Sequence, residues 1–329
     1  MNMDRSRAAG EVHATSARAR HEQRYREAER AMWQHHGMEP TERWVEDDVL
    51  SLRVRALEHG RGRPVLFVHG MPTAGGVFVP LVGQLRGVRA IVVDRPGCAL
   101  SDPLDLTDMT PESLRDLTEA WLSLLIGAIA DGPVDVVANS AGGLAALVLA
   151  ARRPDLVRTL ALLGAPAVEG MRLPVSMRMA TFSPVARAVA RHHINERDLR
   201  RSFRSMGHGD LVSAGGLSAA DLEWRYALSR DTHTYVHELK QLRLAATWRG
   251  PRPQWVASVG DIEAVAAPTL WVAGDSDPFA APDRMRSWAG HARDATVRVM
   301  PRSGHQPWID RPAEHARLLE EWWASHGAR

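Results

Sequence analysis

Val136-Val137-Ala138-Asn139-Ser140-Ala141-Gly142-Gly143 carries a buried strand straight into a small-x-Ser-x-Gly turn and then a helix. A serine on so tight a turn is held in a strained backbone conformation, with its hydroxyl raised above the sheet. Ala138 and Gly142 are small because strand and helix backbones approach closely around it. The helix beginning there aims its first N–H groups and the positive end of its dipole at any oxyanion formed beside Ser140. The string itself is common, and Ser140 as a plain helix N-cap is the structural alternative.

Working outward, the signals alternate. Upstream, Glu42–Val45 and Val49–Leu57 read as short strands joined by a hairpin opening at Glu46-Asp47-Asp48. Pro64–His69 is a continuous apolar run, followed by a glycine-rich turn and a helix-compatible Val77–Leu85. Val88–Val93 is another such run, ending in Asp94-Arg95-Pro96-Gly97. Pro111–Ala130 has helical periodicity, with Thr110 placed to cap it. Val134–Ala138 is a third buried strand, Ala141–Arg153 a helix and Val157–Leu163 a fourth strand. Strands apolar on both sides, each followed by a helix, predict a parallel sheet covered on both faces. In that architecture ligands sit at the carboxyl ends of the strands.

The alternation stops between about Ala167 and Asp261, where helical segments follow one another: Pro184–His193, Glu196–Met206, Ser218–Ser229 and Thr232–Thr247. Strand grammar resumes at Thr269–Ala273 and Thr296–Met300, and Pro312–Ser325 closes as an amphipathic helix. The organisation expected is therefore a polar helical arm over residues 1–40, a sheet domain over 41–166 and 262–329, and an inserted helical lid over 167–261. In the arm, Tyr25, Ala28 and Met32 mark a thin apolar stripe. The reading preferred is a partly frayed surface helix; a docking arm or subunit contact is the alternative.

Composition narrows the function. The 329 residues are 45% hydrophobic, enough for a full core. Uncharged apolar runs such as Trp121–Ala130 fall short of the ~20 residues of a membrane span. Met1–Gly10 holds two arginines and no apolar h-region, so no secretory signal is visible and a cytoplasmic protein is expected. Basic side chains number 41 and acidic ones 39. Lys240 is the sole lysine, so the pI of 9.1 reflects few groups titrating between neutrality and pH 9 rather than a basic stripe for nucleic acid. Cys98 alone cannot form an intramolecular disulfide or a cysteine metal cluster; it reads as a small filler.

A serine hydroxyl needs a base held by an acid. Gly274-Asp275-Ser276-Asp277-Pro278 is a carboxylate turn at the end of one strand, and Ser303-Gly304-His305 lies in the loop ending the next. Loops leaving one edge of a sheet converge on one cleft, and the order Ser, Asp, His matches a recurring solution. An oxyanion needs N–H donors: Ala141 after the nucleophile, and Met71 in Val68-His69-Gly70-Met71-Pro72. His69 reads as a buried structural histidine. Between Asp275 and Asp277 the residues leave the acid open.

Together these strings make the chain resemble the α/β-hydrolase superfamily, closest to its lidded esterase and C–C-hydrolase-like branch. The resemblance runs from about residue 42 to the end on His69-Gly70-Met71-Pro72, Asp94-Arg95-Pro96-Gly97 with Ser101-Asp102, the Ser140 turn, Gly274-Asp275-Ser276-Asp277-Pro278 and Ser303-Gly304-His305. It implies an α/β-hydrolase fold with a Ser140 nucleophile, a His305 base, and Met71 and Ala141 as oxyanion donors. By similarity to the family's Gly-x-x-Asp placement the acid is Asp277, with Glu169 a distant third since some members carry it there. Ala138 departs from the more usual glycine. Ser140 stands where epoxide hydrolases and haloalkane dehalogenases of this fold carry aspartate, which argues against their chemistry.

No metal, nucleotide or other cofactor is called for; His192-His193 and His208 lack convergent carboxylates, and the arginines between Arg187 and Arg204 read as a solvated face. Met171, Met177, Met179 and Phe182, with Trp224, Tyr226, Trp248 and Trp255, either wall an apolar pocket or form the lid's own core. The function expected is hydrolysis of an ester or related acyl bond in a small-molecule substrate. A C–C bond hydrolase on the same triad and a non-catalytic receptor are the alternatives.

Overall fold

The computed structural model describes residues 2–192 and 194–326, with side chains from Ala17 onward. The strand before Ser140 belongs to a sheet of eight: β1 (Thr41–Asp47), β2 (Leu52–Gly60), β3 (Arg63–Val68), β4 (Val88–Val93), β5 (Val134–Ala138), β6 (Val157–Leu163), β7 (Thr269–Gly274) and β8 (Ala295–Met300). Their spatial order is β1-β2-β4-β3-β5-β6-β7-β8. β2 runs antiparallel to β1 and β4; all other neighbours are parallel. Successive residues of β3 and β5 face opposite layers, as the pleat requires. Leu66, Val68, Val136 and Ala138 meet the helices Pro111–Ile129 and Ser140–Arg152; Val65, Phe67 and Val137 meet Phe78, Trp308, Trp322 and the N-terminal helix.

The first hairpin differs from expectation. β1 continues to Asp47, pairing Leu52, and the turn spans Asp48–Ser51 with Val49 fully outside at its tip. The Asp47 carboxylate accepts the Leu50 N–H at 2.6 Å, and that local cap moves the strand start from Val49 to Leu52. Val77–Leu85 is shorter than expected as well: a 3₁₀ turn over Gly75–Phe78 runs into one α-turn, Val79–Val82.

Between β6 and β7 the chain leaves the sheet at Val168 and returns at Ala257, where these two residues form a parallel bridge. Six short helices lie between them: Val175–Met179, Ser183–Arg191, Glu196–Ser205, Gly209–Ser213, Ala219–Asp231 and Thr234–Ala245. The expected end of the insertion at Asp261 falls inside the helix Val259–Ala264, which Ser258 caps and which packs on the helix Ser140–Arg152.

The N-terminal helix Asn2–His35 buries one face between Tyr25 and Trp33, where a partly frayed surface helix was expected. Tyr25 and Met32, together with Trp33, are fully buried, and the helix lies along Ala219–Asp231 of the insertion. A frayed element was expected because its ion-pair partners are remote in sequence. Glu29 holds Arg55 of β2 at 2.6 Å, and Arg24 holds Asp231 at 2.6 Å. No described helix is long and apolar enough to cross a membrane.

Candidate active site

Ser140 follows β5 through an extended Asn139 and takes φ +54°, a left-handed conformation that non-glycine residues rarely adopt. Such strain persists only where the surroundings over-determine it. Two glycines do so. A Cβ on Gly142 would lie 2.2 Å from the Val68 carbonyl oxygen, and one on Gly70 would lie 2.7 Å from Ser140 Cβ. The Asn139 amide then ties this turn to its neighbours, donating to Leu163 O at 2.6 Å and to His305 O at 3.0 Å. The loop after β8 is thereby fastened to the serine turn.

His305 Nδ1 lies 2.9 Å from Asp277 Oδ2, both groups buried. Asp277 also accepts the N–H of Ala165 at 3.0 Å and of Phe279 at 2.8 Å, while the Phe279 ring covers the imidazole at 4.1 Å. Burial works against the Asp277 charge, but the imidazole and these donors hold its carboxyl below the usual range. His305 Nε2 is buried without a hydrogen-bond partner, so no bond joins it to Ser140 Oγ here. Contacts of this kind are often loose in unliganded sites and tighten around substrate. Asp275 is exposed and instead accepts the Arg302 and Ser303 N–H groups that shape the histidine loop. Glu169 is exposed, with its carbonyl oxygen accepting Trp288 Nε1–H.

Ala141 is the second residue of the helix Ser140–Arg152, where the first N–H groups have no intrahelical partner. Met71 is half-buried on the turn after β3. His69 is fully buried: the Arg95 N–H donates to its Nε2 at 3.0 Å, so the proton sits on Nδ1 and is donated to Gly70 O at 2.8 Å. Burial and the Arg95 charge keep this ring neutral. Cys98 is buried, and burial pushes its thiol well up.

Beside Met71 and Gln306 opens a cavity of about 340 Å³, walled by Met177, Leu199, Phe203 and Leu242. Of the apolar residues singled out above, Met177 alone lines it. Met171 joins the main core, Met179, Phe182 and Trp248 are exposed, and Trp255 lines a narrow crevice reaching Ala141. Trp224 donates to the Tyr25 hydroxyl at 3.3 Å, and Tyr226 packs beside Phe203 and Leu222.

One polar residue here, Arg225, gave no signal in the sequence. Arg225 lines the cavity with its guanidinium over the Phe203 ring at 4.8 Å. Its Nε has no partner, and burial lowers its pKa. His208 also lines it, held by Asp310 at 2.8 Å while its Nε2 accepts the Gln306 N–H. The preceding Met206 carbonyl accepts the His305 N–H at 2.9 Å. His192 is exposed beside Asp198 at 2.8 Å, and His193 lies outside the described residues.

An open, mostly parallel sheet with a left-handed serine on the turn after β5 and helices inserted after β6 is the architecture of an α/β-hydrolase. A family model described as the alpha/beta hydrolase fold matches residues 63–312, and the chain belongs to that family. A pimeloyl-[acyl-carrier protein] methyl ester esterase of Stenotrophomonas maltophilia is 29% identical over 273 residues, covering 81% of this chain and 95% of its own. A 2-hydroxymuconate semialdehyde hydrolase of Pseudomonas putida is 27% identical over 84% of this chain and 92% of its own. Among solved structures, the naproxen esterase of Bacillus subtilis matches in fold with TM-score 0.68 at 16% identity, over 93% of this chain and 97% of that one. The chain is a hydrolase of the α/β-hydrolase fold.

Proposed function

We propose that the protein is a serine hydrolase cleaving an ester or related acyl bond of a small, largely apolar substrate through an acyl-enzyme on Ser140. The observation carrying this reading is the strained Ser140 turn, bolted through Asn139 to the backbone of His305, whose ring is bound to buried Asp277. Ser140 Oγ attacks the substrate carbonyl carbon as His305 Nε2 takes its proton. The Met71 and Ala141 N–H groups hold the oxygen that becomes negative. Collapse breaks the ester C–O bond, and His305 returns the proton to the departing alcohol. Water, deprotonated by the same imidazole, then releases the acid and frees the serine. Asp277 keeps the His305 proton on Nδ1 throughout, leaving Nε2 free to act. The cavity beside Met71 is the natural seat of the acyl group, with the inserted helices as its lid.

Arg225 favours a second reading. A half-buried guanidinium without a bonded carboxylate suits a substrate that carries its own, as a diketone acid cleaved at a carbon–carbon bond would.

A fluorophosphonate probe tests the central step. The wild type is expected to gain one label, and Ser140→Ala and His305→Ala to gain none. A folded wild type that stays unlabelled, or turnover unchanged in Ser140→Ala, contradicts the reading and leaves a binding protein. If it labels, p-nitrophenyl esters of rising chain length report the size of the pocket. Arg225→Met is expected to raise KM at least tenfold for esters bearing a carboxylate and to leave neutral esters near wild type. Equal effects on both would remove the anion-binding role.

A further inference from the structure

Beneath Met71 lies a buried ion pair that the hydrolytic steps above do not use. Arg95, at the end of β4, places Nη2 2.7 Å from Glu238 Oε2 and 3.3 Å from the Gly70 carbonyl oxygen. Glu238 comes from the inserted helix Thr234–Ala245 and is almost wholly buried; its other oxygen faces the Cys98 thiol at 3.4 Å. That helix sits directly on the turn carrying Arg95. Thr234 Oγ1 accepts the Ala99 N–H at 2.7 Å, and a Cβ on Gly97 would lie 1.8 Å from the His237 ring.

The Gly70 carbonyl and the Met71 N–H belong to one planar trans peptide, so they point in opposite directions. Two donors, His69 Nδ1–H and Arg95 Nη2–H, hold that carbonyl. Fixing it fixes where the Met71 N–H points. A buried ion pair is a weak device for stability, since well-packed apolar side chains of similar volume often serve as well. Its position against the Gly70 carbonyl gives it something else to do.

We propose that Arg95 and Glu238 are positioning residues for the oxyanion hole: Glu238, reaching down from the inserted helices, fixes Arg95 on the Gly70 carbonyl and thereby aims the Met71 N–H at the reacting carbonyl oxygen. This rests on Met71 being an oxyanion donor in a Ser140 hydrolase. It makes seating of the insertion a condition for chemistry as well as for substrate enclosure.

The test compares the double variant R95M/E238M and the single variant R95K with wild type, reading melting temperature, kcat and KM on one p-nitrophenyl ester. The double variant removes both charges together and is expected to melt near wild type, yet to lose kcat about tenfold or more with KM within about twofold. R95K keeps a charge for Glu238 but cannot span to the Gly70 carbonyl as well, and the same kcat loss is expected. A trifluoromethyl ketone, which forms the oxyanion, should bind both variants about tenfold more weakly, while the product acid binds as before. Wild-type kcat and ketone affinity in either folded variant would overturn the proposal and leave the pair structural. A wild type that fluorophosphonate does not label at Ser140 would instead sink the hydrolase reading beneath it, before any variant is made.

Discussion

Burial alone would push the Asp277 carboxyl up; the imidazole at 2.9 Å and two backbone donors reverse that and hold it low. Its stabilising contribution is therefore complete above the ordinary carboxylate value of about pH 4 and is lost as pH falls through the lower folded value. Melting temperature followed down the acid limb should fall more steeply for wild type than for Asp277→Asn, the gap between them closing. Parallel curves would mean that the carboxylate is not the charged partner of His305. Ser140 and His305 were legible because each sits in a local string whose neighbours matter: small residues beside the serine, a strand before the histidine. Asp277 was less so. Asp275 stands two residues away in the same turn, and only folding shows one carboxylate aimed at the ring and the other at the Arg302 and Ser303 N–H groups. Asn139 lies inside the quoted serine string, yet nothing local announces that its amide crosses to a carbonyl 166 residues away.

The strands, though not their spatial order, followed from periodicity because the runs of β4, β5 and β6 are buried on both sides of the sheet. Boundaries set by side-chain caps did not follow, as Asp47 and the first hairpin illustrate. The close approach of the helix Ser140–Arg152 to β3 is the junction with least tolerance. Gly142→Ala would drive a Cβ against the Val68 carbonyl, a backbone atom that cannot swing aside. We expect a loss of about 3 kcal/mol or more in denaturant unfolding, with a matching loss of probe labelling as the serine turn shifts. A variant as stable and reactive as wild type would mean that β3 and the helix stand further apart than described.

The molecule is held across its length by the N-terminal helix, which joins sheet to insertion. Glu29 meets Arg55, which also reaches Asp94, while Arg24 and His21 meet Asp231 and His36 meets Asp221. These partners are up to 210 residues apart, so no window of sequence contains them. Only the thin stripe at Tyr25, Ala28 and Met32 hinted that this helix is covered. Trp33→Ala should cost about 3–5 kcal/mol, as expected of a core tryptophan rather than an appended arm. Asp231→Asn should speed amide exchange in Ala219–Asp231 while leaving β3, β5 and β6 protected; unchanged exchange there would mean the helix does not clamp the insertion.

The most direct test of the whole account is to quench the wild type in acid during turnover of p-nitrophenyl acetate and map the acetyl group by peptide mass. One acetyl is expected on the peptide bearing Ser140, absent in Ser140→Ala. An acetyl on another side chain, or continued p-nitrophenol release from Ser140→Ala at the wild-type rate, would contradict it.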